Sequence, residues 1–135
     1  MPIHIPWDDY EIALMFEVYQ KMADGMTLNA AAQELSKRLR QKAVNQGIAI
    51  DGVFRNTNGM VFYLKRTEYL FTNGKSGLSG AQKNVVKMFE LYQQNPLAYQ
   101  QILMEARRMA GLASPRVLHE DTSALMHYLD EQPHE

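Results

Sequence analysis

Between Ser36 and Phe71 the chain sets Lys37, Arg38, Arg40, Lys42, Arg55, Lys65 and Arg66 against only Asp51 and Glu68, with a polar Arg55-Asn56-Thr57-Asn58-Gly59 turn in the middle. Cations at this density suit phosphate neutralisation, a contact that carries affinity but no sequence information. An arginine or asparagine at the start of a helix suits base-edge recognition, Arg55 toward guanine and Asn56 or Asn58 toward adenine. The candidate nucleic-acid-binding residues are therefore Lys37, Arg38, Arg40, Lys42, Arg55, Asn56, Asn58, Lys65 and Arg66. Reversing Arg38 and Lys42 to glutamate is expected to abolish binding and leave the helices intact. Each assignment has a plainer alternative: Asn56 and Asn58 as helix caps, Gly59 as a turn residue, and the lysines and arginines as a solvated helix face.

The formal net charge of −1 conceals a segregation along the chain. Residues 1–35 carry one cation against six acids, residues 36–87 ten against two, and residues 88–135 three against seven. A net +8 in the middle block argues for a polyanionic partner. Alternatively, the acidic ends fold back and neutralise the middle.

Other chemistries find little support. The 135 residues include no cysteine, which removes disulfides, thiolate metal sites and a cysteine nucleophile. His4, His119, His127 and His134 lack ligand-like spacing, so neither a metal nor a cofactor is expected. Gly74-Lys75-Ser76 lacks the earlier glycine of a phosphate loop and reads as a turn. Ser123 and His127 have no orienting third group. The chain reads as non-enzymatic. No apolar run reaches the ~20 residues of a membrane span, and no secretory signal precedes Trp7, so a cytoplasmic protein without membrane contact is expected.

The elements that must position these residues read as all-α. A first helix carries Ile12, Met15, Phe16, Tyr19 and Met22 on one stripe, widened by Leu14 and Val18, and ends at Asp24-Gly25. Thr27 caps a second, with Leu28, Ala32, Leu35, Leu39 and Ala43 inward and Gly47 as its stop. Ile48 to Phe54 reads as a loop, or two very short strands. A third helix is expected from Gly59 to Phe71, with Val61, Leu64 and either Met60 or Phe71 inward. Ser79 and Gln82 have capping-box spacing for a fourth, and Asn95-Pro96 opens a fifth that stops at Gly111. Asp121 to Asp130 suits a short sixth. The expected organisation is one helical domain over 1–113, comprising a trihelical, helix-turn-helix-like unit (7–71) and a helical hairpin (79–111), then an acidic tail (114–135).

Trp7-x-x-x-Glu11, Tyr19, Leu35-Ser36-x-x-Leu39-Arg40, Asp51-x-x-Phe54-Arg55-Asn56-x-Asn58-Gly59-Met60 and Leu64 together resemble the N-terminal module of bacterial restriction-type HNH endonucleases and other phage-defence proteins. The likeness covers residues 7–71 and points to Arg40, Arg55, Asn56, Asn58 and Gly59. No histidine-rich catalytic segment follows Phe71, so the resemblance implies an accessory or regulatory nucleic-acid-binding module of a restriction, defence or mobile-element system, without nuclease chemistry, and duplex DNA is the expected ligand. The alternative is a protein-interaction module, an inhibitor or adaptor, binding a partner or a second copy through the basic face or the methionine-rich helices.

Overall fold

The computed structural model describes residues 5–112 and contains five helices and no strand among them: α1 (Asp9–Ala23), α2 (Leu28–Asn45), α3 (Thr57–Phe71), α4 (Lys83–Gln94) and α5 (Pro96–Met109). Residues 113–135, which include the expected sixth helix and acidic tail, lie outside the described residues. No helix among those described is long and apolar enough to cross a membrane.

The helix ends follow local chemistry. Asp8 accepts from the Glu11 amide at 2.8 Å while Glu11 accepts from the Asp8 amide at 3.0 Å, a capping box that opens α1. Thr27 caps α2 through the Ala30 amide at 3.1 Å, and Asn95 caps α5 through Ala98 at 3.2 Å, with Pro96 in the first turn. Three helices close on Schellman turns at Gly25, Gly47 and Gly111, and α3 closes the same way on Asn73 at φ 54°. Two expected starts move. Asn56 accepts from the Gly59 amide at 2.8 Å, so α3 begins at Thr57, two residues early. Gln82 is itself the N-cap of α4 and makes no side-chain cap bond, so the expected Ser79 capping box does not form.

The first helix is the axis of the domain. Ile12 to Phe16 and Val18 are all buried, because α1 packs against each of the other four helices instead of presenting one stripe. Phe16 meets Phe71 edge-on at 5.2 Å and stacks near Tyr99 at 6.2 Å, joining α1, α3 and α5 in an aromatic cluster completed by Phe89 and Tyr92 of α4. Both Met60 and Phe71 therefore face inward. Truncating Phe16 to alanine would cost about 3–5 kcal/mol. Helices α4 and α5 pack on each other and α5 packs extensively on α1, so the first three helices and the last two share one core.

Candidate nucleic-acid interface

The basic residues divide into two populations. The first lies where α1, α2 and the turn before α3 meet. Arg55 donates through Nε to Glu11 Oε2 at 2.8 Å and through Nη2 to Glu11 Oε1 at 3.2 Å and the Ile5 carbonyl at 2.8 Å. Its guanidinium lies 4.8 Å from the Trp7 ring centroid and 4.5 Å from that of Phe54. Both partners are nearly closed to solvent, the Arg55 side chain 10% exposed and that of Glu11 6%. Arg38 is buried and pairs with Glu17 at 2.6 Å and with Glu34. Lys42, also buried, donates to Asp8 at 2.8 Å and to Gln46 at 2.9 Å. Arg40 donates to the backbone carbonyls of Asp51 and Phe54 at 3.0 and 2.6 Å, while the Asp51 carboxylate accepts from the Val53 and Phe54 amides. This turn occupies the region read as a loop or short strands.

These contacts correct the expected phosphate-binding row. Arg38 and Lys42 share a face as their four-residue spacing requires, but that face looks into α1. Like charges four residues apart on a helix repel, and here Asp8, Glu17 and Glu34 neutralise both, so no external anion is needed. Within the described residues, the acidic N-terminal block does neutralise part of the basic middle. Arg55 is closed off from a guanine edge by Glu11, and Asn56 uses its side-chain oxygen as a cap. Reversing Arg38 and Lys42 would face carboxylates with carboxylates, so the helices would not stay intact. Of the residues quoted for the resemblance, Trp7, Glu11, Arg40, Asp51, Phe54, Arg55 and Asn56 make these contacts, whereas Asn58 lies outside them on α3.

The second population lies outside it. Asn58, Lys65 and Arg66 fall on one face of α3, at spacings that also bring Phe62 and Tyr69 onto it. Phe62 is 53% exposed and Tyr69 37%. Residue types alone drew attention to the cations, but the i, i+4, i+7, i+8, i+11 series from Asn58 would have found both rings. Arg66 lies 5.5 Å over the Tyr63 ring.

The connection from α3 to α4 is clamped against that helix. The Leu78 amide donates to the Lys65 carbonyl at 3.0 Å, and Thr72 and Ser76 bond each other at 3.0 and 3.1 Å. Gly77, at φ 98°, comes so close that a Cβ there would sit 2.4 Å from the Lys65 carbonyl oxygen. A Cβ on Gly80 would reach 4.0 Å from Arg66 Nε. The Asn84 side chain then donates through Nδ2 to the Trp7 carbonyl at 3.0 Å, tying the first turn of α4 to the segment before α1. Lys75, Lys83 and Lys87 continue the charge of Lys65 and Arg66. Among the described residues none of these five cations is ion-paired, and the single acid between them, Glu68, accepts from the Ser76 hydroxyl.

Lys37 is exposed on a different side, in a groove of about 740 Å³ between α2 and the turn after α5, with Gln33, Gln41 and Asn45 beside it. There Asn45 donates to the Met109 carbonyl at 3.0 Å. Burial alone would raise the Glu34 carboxyl on this side of α2, but the Lys21 hydrogen bond and the Arg38 charge outweigh it and hold the carboxyl below its ordinary value. Burial, reinforced by the Glu17 charge, pushes the Tyr99 phenol far up, and its hydroxyl donates to the Ala13 carbonyl at 3.1 Å.

Compared with known proteins, the chain matches no family model, no curated protein and no solved structure.

Proposed function

We propose that this chain is a non-enzymatic nucleic-acid-binding module whose phosphate-contacting surface is the outer face of α3 with the segment leading into α4. The observation that carries the reading is the absence, among the described residues, of ion pairs at Lys65, Arg66, Lys75, Lys83 and Lys87, where Arg38, Lys42 and Arg55 are all neutralised from within. Cations without ion pairs on α3, in the connection and at the start of α4 suit phosphate binding. From the sequence-derived residues it retains Asn58, Lys65 and Arg66, with Lys37 apart. The resemblance to modules of restriction-type endonucleases supports an accessory or regulatory role in a cytoplasmic defence or mobile-element system, with DNA as the favoured ligand.

Fluorescence polarisation with duplex DNA, single-stranded DNA and duplex RNA across a salt series tests this. Each neutralised phosphate should add roughly −0.9 to the slope of log K against log salt on duplex DNA and roughly −0.7 on a single strand. A slope corresponding to three or more phosphates is expected. Absence of binding at low salt would refute the proposal.

One observation favours a second reading, a protein-interaction module. On α5, Leu97 and Met104 lie seven residues apart on the outer side, 69% and 49% exposed. Methionine and leucine together form an adaptable apolar contact.

A further inference from the structure

We infer that the ligand class of the α3 surface is single-stranded nucleic acid, held by base stacking on Phe62 and Tyr69; this deepens the proposed function and rests on it. Phe62 is more than half exposed on a helix whose inward positions are Met60, Leu64 and Thr67, so the ring is not part of the core. Tyr69 lies one heptad further on, with the hydroxyl end of its ring beside Gly74, where an added Cβ would sit 3.2 Å away. Lys65 and Arg66 stand between the two rings. An aromatic, two cations and a second aromatic along one helical face provide stacking surfaces with phosphate contacts between them.

The spacing argues against a duplex. Seven residues of helix set the two ring-bearing positions about 10.5 Å apart along the axis, roughly three times the 3.4 Å repeat of stacked bases in a duplex strand. Both rings can be covered together only by a strand whose bases are splayed apart. A duplex offers base edges and no free base faces, and of the side chains suited to reading edges Arg55 and Asn56 are held by Glu11 and by the Gly59 amide, which leaves Asn58 as the one edge reader exposed on this face. The other surviving groups suit faces and phosphates.

The test compares wild type, Phe62→Ala and Lys65→Gln/Lys87→Gln on three probes: a mixed-sequence single strand, the blunt duplex of the same sequence, and an abasic strand of equal length. Wild type is expected to bind the single strand more tightly than the duplex, and the abasic strand at least about fivefold more weakly, the loss anticipated for one stacked base. Phe62→Ala should lose the same factor on the single strand while keeping the salt slope and the circular-dichroism melting curve. The lysine variant should lose affinity on all three probes. Equal binding of abasic and intact strands, or a Phe62→Ala variant that binds the single strand like wild type, would overturn stacking while leaving phosphate binding in place. Failure of all three probes to bind wild type would overturn the underlying reading as well.

Discussion

Two regions of the chain hold similar numbers of cations and use them in opposite ways. In the joint of α1, α2 and the turn before α3, each of Arg38, Lys42 and Arg55 meets a carboxylate from α1 or its N-cap, with Glu34 of α2 also on Arg38. Around the outer face of α3 and the start of α4, the cations meet none among the described residues. The difference follows from where α1 runs. The acids Asp8, Glu11 and Glu17 are within reach of α2 and residue 55, and α1 is too deeply packed to serve as a solvated face. A charged side chain is therefore evidence of an external partner only once the helix opposite it is known.

The largest effect should come from exchanging the two uses. In Arg38→Glu/Lys42→Glu, new carboxylates would face Glu17, Glu34 and Asp8 inside the fold. Breaking one buried pair costs about 3–5 kcal/mol, against a total stability of roughly 5–15 kcal/mol for a domain. The double variant is expected to be unfolded by circular dichroism at 25 °C. A native-like melt would show that the joint is looser than its distances imply.

Arg55→Ala comes next. It strands Glu11 and removes the hold on the Ile5 carbonyl, and urea titration should show a loss of about 3–5 kcal/mol. Replacing the pair together, as Glu11→Leu/Arg55→Met, should recover most of this, since a buried pair and an apolar pair of similar size are often comparable. Failure to recover would mean that the contacts of Arg55 with Trp7 and Phe54 matter more than the charge.

Acid should sharpen the comparison more gently. The Glu34 carboxyl is lowered on folding, so its stabilising contribution is fully present above the ordinary glutamate value of about 4.3 and is lost as pH falls through the lower folded value. Wild type should therefore destabilise below that pH, and Glu34→Gln should show a shallower decline over the same window. Parallel curves for the two proteins would contradict the assignment.

The smallest change in stability belongs to the outer region. Lys65→Gln/Lys87→Gln should shift stability by no more than about 0.5 kcal/mol, yet reduce the salt slope on duplex DNA by up to about 1.8, near 0.9 for each phosphate left without its lysine. An unchanged slope would remove these two lysines from the interface.

Much of the fold was legible because it depends on local signals. Thr27, Gly47, Asn95-Pro96 and Gly111 mark helix ends through backbone chemistry that acts within a few residues, and they bound helices here. The start of α4 was not legible because Gln82 at its N-cap makes no side-chain bond that spacing could have revealed. The candidate site was less legible for a different reason. Whether Lys42 faces solvent depends on Asp8, thirty-four positions away, and Arg55 depends on Glu11 across forty-four. Such pairings are set by packing. A charge count along the chain can suggest that neutralisation is available, but not which cations receive it. Phe62 and Tyr69 are the reverse case: their common face was readable from helical spacing, but apolar residues in a helix suggest core until the structure shows them outside.

Trp7 gives the molecule an internal optical reporter. It is the sole tryptophan, it is buried, and its ring centroid lies 4.5 Å from that of Tyr63, which in turn lies beneath Arg66. Intrinsic emission from one indole thus reads the joint on one side through Arg55 and the outer surface on the other through Tyr63. Opening of the joint should shift that emission to the red, whereas a phosphate drawing Arg66 off Tyr63 should change its intensity while the chain remains folded.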